Sequence, residues 1–477
     1  MSTNDKTKTI TIIGGGFTGS SIAIEEARYY AELFAQDNTL PPLTIRLLDG
    51  TGSFGTGLPY KTQDDVFLLN QPAYAMSPFP EDPAHFTRWL GQDGDTFATR
   101  KQYGEYLQET LSQTFNEAAA AGIPVKLEKL SLNVTDISAQ QNITVNAGAV
   151  ALDTDAVVFA TGHQKNGFLN ELDGAKGYFS GVYSVAEVEA ALKGTTANDN
   201  VAIIGTGQSM MDALAVLDHI GYQGKIHAYS RHGAEPWAFD AELYRQERPR
   251  YTPLYLDPAQ VQKAQDQSFD GLRERLGHEF RRAKKQGYGI AHVLTAIDFK
   301  GLATTGPDGT APEGLKNLHE LWEKIYGNPT APVRHALLEQ YKESQQLNLV
   351  RHEVHAENIA VAQGGFALDG FQDEKPLKVS AVFNAASFGR KAIASPLLQK
   401  AAEDGLLAID GAAVRPGLQN HPAVFAAGPA VSPDKWGVET FRDNNAKVSR
   451  QSVDQALGLN LKKQQSATKE RKHDFKS

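Results

Sequence analysis

Cysteine is absent from this chain of 477 residues. Structural disulfides and thiolate metal sites are therefore excluded. The same absence excludes redox catalysis by a pair of thiols, because that chemistry passes electrons through a cysteine disulfide. Any oxidation or reduction must use groups other than the chain's own sulfhydryls.

Long hydrophobic runs are also missing. No stretch reaches the ~18 apolar residues that a membrane-spanning helix requires, and the first eight residues are polar, unlike a secretory signal. The formal net charge of −9 argues against a partner held through nucleic-acid phosphates. We therefore expect a cytoplasmic protein of two or three domains that does not bind nucleic acid and has no membrane-spanning segment.

Metal-ligand patterns are not evident either. The 13 histidines are scattered, without pairs at the spacing of metal ligands. No Ser-His-Asp arrangement is supported. We expect no metal site.

The sequence does contain a short apolar strand at 9–13 that runs into a glycine turn and then into a helical stretch. This order is the context that a dinucleotide-binding fingerprint requires. Gly14 permits the tight turn, Gly16 lets a phosphate approach the backbone, and Gly19 lets the helix pack on the strand. The start of the helix offers free N–H groups to a pyrophosphate. The candidate cofactor-binding residues of this turn are Gly14, Gly16, Phe17, Thr18 and Gly19.

An acidic residue, Asp49, ends the next predicted strand at 43–48. In this fold an acid at that strand end hydrogen-bonds the adenosine ribose. Asp49 lies 30 residues after Gly19, further than the usual ~20. We attribute the excess to a longer helix and to the loop at 37–42. The alternative is that Asp49 is a surface turn residue before Gly50.

A second turn of the same kind follows the apolar strand at 200–204. Gly205 and Gly207 provide the first two glycines. Met210 stands in place of the third, which serves helix packing and not phosphate contact. The candidate cofactor-binding residues of this turn are Gly205, Gly207, Gln208 and Ser209.

Arg231 follows the next predicted strand at 225–229. An acid in this zone favours NAD, whereas an arginine accommodates the 2′-phosphate of NADP. Arg231 therefore favours NADPH over NADH. The alternative is a solvated loop residue.

Two later strand ends also point to a flavin. The apolar strand at 156–160 ends in Thr-Gly between the two turns, where flavoproteins of this kind pass from the flavin domain to the nicotinamide domain. The last strand, at 424–427, precedes a closing helix whose dipole can stabilise a reduced flavin. The candidate residues here are Thr161, Gly162, Gly428, Trp436, Glu439 and Thr440.

Two dinucleotide turns in one chain indicate an FAD that is reduced by a nicotinamide cofactor. The predicted fold is α/β, with two Rossmann-like dinucleotide-binding domains, for FAD and NADPH, and a helical insertion in the second. The predicted limits are 1–165 and 391–460 for the FAD-binding domain, 166–390 for the NAD(P)H-binding domain, about 240–349 for the helical insertion and 461–477 for a disordered tail.

Several segments resemble one known family. They are Phe-Gly-Thr-Gly-Leu-Pro-Tyr at 54–60, Leu-Leu-Asn-Gln-Pro-Ala at 68–73, Arg-Lys-Gln-Tyr-Gly-Glu-Tyr-Leu at 100–107, Gly-Thr-Gly-Gln-Ser-Met-Met-Asp at 205–212 and Ser-Arg-His-Gly at 230–233. They are similar to the FAD/NAD(P)-binding family that includes FAD-dependent urate hydroxylases and nitrosuccinate-forming aspartate N-monooxygenases. The resemblance covers 9–235, resumes near 380–445, and is loose between 240 and 350.

This resemblance implies a single-chain flavin monooxygenase. NADPH would reduce FAD, O2 would add at the flavin C4a, and the hydroperoxide would hydroxylate a small substrate. Asn70 and, as a weaker candidate, Gln71 would act at the reacting end of the flavin. Arg100 would meet the FAD pyrophosphate, and Ser209 would join the second phosphate turn. Asn70 has the alternative role of a loop cap before Pro72.

Two functions stay open at this point. The favoured one is NADPH-dependent hydroxylation of a small molecule with O2, with N-hydroxylation of an amine or amino acid preferred. The alternative is an NAD(P)H-dependent flavin reductase that passes electrons to a quinone, a small acceptor or a partner protein without oxygenation. A non-catalytic nucleotide binder is disfavoured by the two intact turns. The sequence leaves the substrate and the oligomeric state open.

Overall fold

The computed structural model describes residues 6–139, 142–163, 165–182, 184–241, 250–322, 329–369, 376–386, 392–393, 395–410, 413–416, 421–431 and 438–459. Its strands are β1 (Lys8–Ile13), β2 (Leu43–Leu48), β3 (Val125–Leu130), β4 (Asp136–Ala139), β5 (Ile143–Ala147), β6 (Val150–Thr154), β7 (Ala156–Phe159), β8 (Lys165–Asn166), β9 (Tyr178–Phe179), β10 (Asn200–Ile204), β11 (Lys225–Ser230), β12 (Leu347–Arg351), β13 (Ile359–Ala362), β14 (Gly365–Leu368), β15 (Leu377–Val379), β16 (Ala381–Asn384), β17 (Ala392–Ile393), β18 (Leu407–Asp410), β19 (Ala413–Pro416) and β20 (Val424–Ala426). Its α-helices are α1 (Phe17–Gln36), α2 (Gly57–Tyr60), α3 (His85–Leu90), α4 (Arg100–Ala120), α5 (Val185–Leu192), α6 (Gln208–His219), α7 (Pro258–Gln262), α8 (Phe269–Lys285), α9 (Ile290–Ala296), α10 (Phe299–Leu302), α11 (Leu315–Leu321), α12 (Pro332–Glu343), α13 (Pro396–Glu403) and α14 (Val438–Ala456).

The chain divides into two units. The first unit comprises residues 1–67, 72–168 and 387–477, and the second comprises 68–71 and 169–386. The longer segment of the second unit is therefore inserted in the chain of the first.

The first unit is built on a five-stranded parallel sheet in the order β20-β7-β1-β2-β3. The last four residues of β1 and all of β7 are buried, as expected for strands that are covered on both faces. Ile13 of β1 lies beside Leu48 of β2 and Phe159 of β7. The carboxyl ends of these three strands therefore meet at one edge of the sheet, where the first glycine turn begins.

Helices α1 and α14 pack against each other on this sheet. Ile22, Ala23 and Ala27 of α1 are buried in the same hydrophobic core as Val448 and Val453 of α14. Small residues on α1 let it lie close to the strands, so its N-terminus stays at the carboxyl edge of β1. A separate antiparallel sheet of β4, β5 and β6 completes the chain between β3 and β7.

The second unit repeats the plan of the first. Its parallel sheet has the order β12-β11-β10-β16-β9, and an antiparallel sheet of β13, β14 and β15 lies between β12 and β16 in the chain. Strands β10, β11, β12 and β16 thus correspond to β1, β2, β3 and β7, and β9 takes the place of β20. This repetition confirms the predicted α/β class with two Rossmann-like domains.

The second unit also carries a block of helices, α7 to α12, between β11 and β12. Its core includes Leu272, Leu276, Val293 and Leu318. The fully buried carboxylate of Glu279 organises the block, because it accepts hydrogen bonds from the Tyr251 hydroxyl and from the main-chain N–H groups of residues 254–256.

Two stretches of the chain that have one continuous pattern each form two elements. The helical pattern at 257–286 forms the two helices α7 and α8, and Ser268 caps α8 with a hydrogen bond from the Gly271 N–H. The strand-like stretch at 379–386 contains the end of β15 at Val379 and the whole of β16, from Ala381 to Asn384. Residues 263–268 separate the two helices, and Ser380 alone separates the two strands.

Replacement of Glu26 by glutamine should alter the pH dependence of stability. Glu26 is fully buried between α1 and α14, where the Ser452 hydroxyl donates to its carboxylate at 2.6 Å. Burial raises the pKa of Glu26 from 4.5 to about 8. The folded state therefore holds a proton that the unfolded chain loses above pH 4.5, and the free energy of unfolding falls as the pH rises from about 4.5 to 8. Each unit of difference in pKa corresponds to about 1.4 kcal/mol.

Urea unfolding of the FAD-loaded protein at pH 5 and pH 8.5 measures this effect. E26Q should reduce the loss of stability between the two pH values, and the exposed control E105Q on α4 should behave as the wild type. Glu25, whose pKa burial raises to about 7, will leave a smaller residual dependence. An unchanged slope in E26Q would contradict the assignment.

Candidate functional site

The two glycine turns have the same backbone geometry. Gly14 and Gly205 have φ angles of +112° and +111°, in the region that favours glycine. Each donates its N–H to a carbonyl near the end of the neighbouring strand, Gly14 to the Leu48 carbonyl at 2.8 Å and Gly205 to the Tyr229 carbonyl at 2.7 Å. The chain therefore builds the same strand-to-helix turn once in each unit.

Neither first glycine has room for a side chain. A Cβ on Gly14 would come within 3.0 Å of the Ala160 carbonyl, and one on Gly205 would meet the Ala385 carbonyl in the same way. A Cβ on Gly19 would clash with the Gly14 carbonyl, so α1 needs glycine there to lie on β1. At the position equivalent to Gly19, the second unit has Met210, whose side chain is fully buried.

The helix that follows each turn starts without a side-chain cap. Gly16 is the N-cap of α1 and Gly207 is the N-cap of α6, and neither has a side chain to accept from the first helical N–H groups. Such helix starts suit the binding of phosphate. Phe17 is the first residue of α1, and its ring lies 6.3 Å from that of Tyr103. Gln208, the first residue of α6, donates from its side chain to the Pro329 carbonyl at 3.1 Å.

Thr18 brings the start of α1 to the end of the last strand. Its side chain is buried, and a Cβ on Gly428 would clash with the Thr18 hydroxyl. Gly428 has a φ of +73° and lies two residues after the end of β20. The structure thus brings together two predicted cofactor-binding residues that are separated by 410 positions in the sequence.

A loop at 54–57 lies on the first glycine turn. The Gly55 N–H donates to the Gly15 carbonyl at 2.8 Å and to the Ser20 hydroxyl at 3.0 Å. Gly16 and Gly57 approach so closely that a Cβ on either would lie 3.0–3.1 Å from the other's Cα. The sequence reasoning gave this loop no role beyond the family resemblance, although its glycines at 55 and 57 were the available signal.

Asp49 braces the first turn from the end of β2. One carboxylate oxygen accepts from the Gly15 N–H at 2.9 Å, and the other accepts from the N–H and the hydroxyl of Thr51 at 2.8 and 2.6 Å. The carboxylate therefore lies against the glycine turn rather than standing free on the surface. Its predicted contact with the ribose remains a prediction.

Ser230 occupies the place of Asp49 in the second unit. The register pairs Ile13 with Leu48 and Ile204 with Tyr229, so the next residues, Asp49 and Ser230, correspond. The Ser230 hydroxyl accepts from the Gly233 N–H at 2.9 Å and lies 3.0 Å from the Thr206 hydroxyl. Arg231, the next residue, is exposed. The second unit thus lacks the carboxylate that selects an unmodified ribose and has an arginine beside it.

Thr161 and Gly162 follow β7 and are half-buried. Next to them, burial lowers the pKa of His163 to about 4, which keeps its imidazole neutral at physiological pH. The sequence reasoning did not single out His163, because a lone histidine beside a Thr-Gly pair carries no distinctive pattern.

Arg100 is the first residue of α4 and is only 8% exposed. Its main-chain N–H donates to the Phe67 carbonyl at 2.8 Å, and its guanidinium lies 6.0 Å from the Phe67 ring. The capping box between Thr99 and Gln102 fixes the start of this helix, and with it the position of the buried cation.

Asn70 and Gln71 belong to the short segment that groups with the second unit. Asn70 is exposed. The side-chain oxygen of Gln71 is buried and has no hydrogen-bond partner. Burying such an oxygen without a partner is unfavourable, because the oxygen loses its hydrogen bonds to water and gains none from the protein. Ser209, on the first turn of α6, is exposed.

The side chains of three predicted residues are outside the described part of the structure. Trp436 lies outside the described residues. Glu439 and Thr440 are in the first turn of α14, and only their backbone is described.

His292, in the helical block, is a second buried group without hydrogen bonds. It is 4% exposed, neither ring nitrogen has a partner, and its Nδ1 lies 3.8 Å from an Asp240 carboxylate oxygen. Within the described residues, no cluster of side chains could hold a metal ion. No helix in the same residues is long and apolar enough to cross a membrane.

Residues 11–164 match the sequence model of a family described as FAD-NAD(P)-binding. No curated protein matches the chain. Among solved structures, ornithine hydroxylase from Pseudomonas aeruginosa has 15% identity and a TM-score of 0.50, covering 95% of this chain and 99% of its own. DfoA, the cadaverine monooxygenase of Erwinia amylovora, was solved with bound FAD and has 12% identity, a TM-score of 0.50 and 95% coverage of both chains. Thioredoxin reductase from T. acidophilum has 12% identity and a TM-score of 0.48, covering 95% of this chain and all of its own.

The family match and the two turns agree on the cofactors. The match spans the first glycine turn, Asp49 and the end of β7, and its description names both FAD and NAD(P). The glycines allow the close main-chain packing that shapes each turn, since a Cβ on Gly14, Gly19 or Gly205 would clash with a neighbouring carbonyl. These observations support the predicted class, an FAD-dependent NAD(P)H oxidoreductase. The contacts of the individual residues remain predictions.

Alanine substitution should separate the two turns. G205A should slow anaerobic reduction of the flavin by NADPH about tenfold or more, because strain and backbone clashes of a few kcal/mol distort the second turn. FAD content should stay near that of the wild type. G14A should instead lose FAD. The measurements are the flavin absorbance per mole of protein and the rate of anaerobic reduction.

Gly277 provides the control, because a Cβ there would meet only the end of the Arg281 side chain, at 3.5 Å. G277A should match the wild type in both measurements. Loss of FAD in G205A with normal reduction of the remaining flavin would contradict the assignment of the second turn to the nicotinamide cofactor.

Proposed function

We propose that this protein is an NADPH-dependent FAD monooxygenase that hydroxylates a small molecule. The observation that carries the proposal is the presence of two geometrically equivalent dinucleotide turns in one cysteine-free chain. In the balanced reaction, NADPH gives two electrons, one atom of O2 enters the substrate as a hydroxyl group, and the other atom leaves as water. FAD supplies the route by which the electrons of NADPH reach O2.

The first unit holds FAD in this proposal. The backbone of the first turn and the start of α1 bind the pyrophosphate, with the buried Arg100 cation as a further partner. Asp49 takes the ribose while it braces Gly15. The second unit holds NADPH at the turn around Gly205, and Arg231 meets the 2′-phosphate.

An amine or amino acid is the favoured substrate. Two similar solved structures with a TM-score of 0.50 are an ornithine hydroxylase and a cadaverine monooxygenase. The sequence motifs at 54–60 and 68–73 resemble those of the family that includes aspartate N-monooxygenases and urate hydroxylases. N-hydroxylation of an amine or amino acid is common to most of these chemistries, and a heteroaromatic substrate is the next candidate.

Stopped-flow absorbance tests the reaction type. The FAD-loaded protein is reduced with NADPH without oxygen and then mixed with aerated buffer. A transient species that absorbs between the oxidised and reduced flavin bands, followed by a hydroxylated product when an amine is present, is expected. If every amine tested leaves NADPH oxidation fully accounted for by released peroxide or by a reduced acceptor, the protein is a reductase and the proposal fails.

Asn70 and Gln71 are proposed to act at the reacting end of the flavin. The buried, unpartnered side-chain oxygen of Gln71 supports this placement. N70A and Q71L should keep the FAD content and shorten the lifetime of the transient species about tenfold, the effect of losing one hydrogen bond worth ~1.4 kcal/mol. The exposed Gln63 provides the control variant Q63A. Unchanged lifetimes in both variants would remove these residues from the site.

A further inference from the structure

Three arginines and a histidine gather at the end of β11 and β12 in the second unit. Arg231 and His232 follow β11, and Arg351 is the last residue of β12, in register with Ser230. The Arg351 Nε donates to the Arg231 carbonyl at 3.4 Å. We refer to Arg231, His232, Arg273 and Arg351 as the arginine cluster.

Helix α8 of the helical block completes this cluster. Its first residue, Phe269, lies with its ring 4.9 Å from the His232 ring and 5.9 Å from the Arg351 guanidinium. Arg273 is four residues further along α8 and therefore lies on the same face as Phe269. The side chain of Arg351 is held against α8 by an ion pair with Asp270 at 2.8 Å.

The charges of the arginine cluster act on His232. Burial lowers the pKa of His232, and the nearby Arg231, Arg351 and Arg273 lower it further, while Glu320 opposes them. The three arginines outnumber the two carboxylates, Asp270 and Glu320, so the cluster keeps a positive charge when His232 is neutral. A dianion would be attracted there, and it would meet planar guanidinium groups suited to phosphate.

The location of the cluster identifies the dianion. The last residues of β11 contact the first glycine of the second turn, through the hydrogen bond from Gly205 to Tyr229. In this fold the adenosine ribose of the dinucleotide lies at that strand end. The first unit has Asp-Gly-Thr-Gly at the corresponding positions, 49–52, and no basic residue. The ligand that fits this difference is a phosphate on the adenosine ribose of the nicotinamide cofactor.

We infer that Arg273 and Arg351 join Arg231 in binding the 2′-phosphate of NADPH, so that the helical block contributes to the choice between NADPH and NADH. The inference rests on the proposed use of NADPH and extends it to residues 42 and 120 positions beyond Arg231. Asp270 holds Arg351 in place from the same helix that supplies Arg273.

Calorimetric titration of the FAD-loaded protein tests phosphate binding by the arginine cluster with two probes, adenosine 2′,5′-bisphosphate and 5′-AMP. They differ only in the 2′-phosphate. The wild type should bind the bisphosphate more tightly than 5′-AMP. R273Q and R351Q should each weaken binding of the bisphosphate about tenfold, the change expected for one charge-assisted hydrogen bond. Their affinity for 5′-AMP should stay the same.

Two further variants separate a charge effect from a folding effect. R273K keeps the charge and should recover most of the affinity for the bisphosphate. R281Q removes an exposed arginine eight residues further along α8 and should behave as the wild type. FAD content and the melting temperature report on folding in each variant.

The inference is overturned if the wild type does not distinguish the probes, if R273Q and R351Q both bind the bisphosphate normally, or if they lose both probes equally. The titration involves neither O2 nor substrate. A protein that transfers no oxygen would refute the proposed monooxygenase and leave this result standing, and an active monooxygenase with unchanged affinities in both variants would refute only the inference.

Discussion

The structure depends on two places where one main chain passes too close to another to admit a side chain. At Gly14 and Gly205, the carbonyl groups of Ala160 and Ala385 fill the space that a Cβ would need. Ala160 is the first residue after β7, and Ala385 is the first residue after β16. Both strands are buried, and hydrogen bonds fix the register of each with the central strand of its sheet. Strand register, turn and helix start are therefore set together. The edge at which the cofactors are expected to bind is a consequence of this packing, since the helix N-termini can point only there.

The two units use this common backbone with different side chains. Asp49 accepts the Gly15 N–H, whereas Ser230 takes the same position and bonds to Thr206 and Gly233. Both residues stabilise the turn, but only Asp49 brings a negative charge to it. Replacing a carboxylate by a hydroxyl removes the repulsion that a phosphorylated ribose would meet. In the proposed assignment of FAD to the first unit and NADPH to the second, this one exchange at the end of a strand would suit the two otherwise similar units to different nucleotides.

The sequence was sufficient for the parts of the fold that depend on local pattern. The strands that lead into Gly14 and Gly205 each end in two isoleucines directly before the glycine turn, and the helices begin at the first residue after the second glycine of the fingerprint. The antiparallel sheets β4–β6 and β13–β15 were not predicted, because their strands are short and mix polar with apolar residues. Contacts such as Gly55 on Gly15, or Arg351 beside Arg231, also lay beyond reach, since they join positions that no local pattern connects.

The segment at 68–71 has a consequence for how such a protein can be rebuilt. The chain passes between the units after residues 67, 71, 168 and 386. A gene fragment that encodes 169–386 therefore omits four residues of the unit it is meant to represent, Asn70 and Gln71 among them. If the second unit were exchanged through residues 169–386 alone, its segment 68–71 would still come from the recipient protein. Recombination between homologues, in evolution or in the laboratory, must transfer both 68–71 and 169–386 if the two segments of this unit are to come from the same protein.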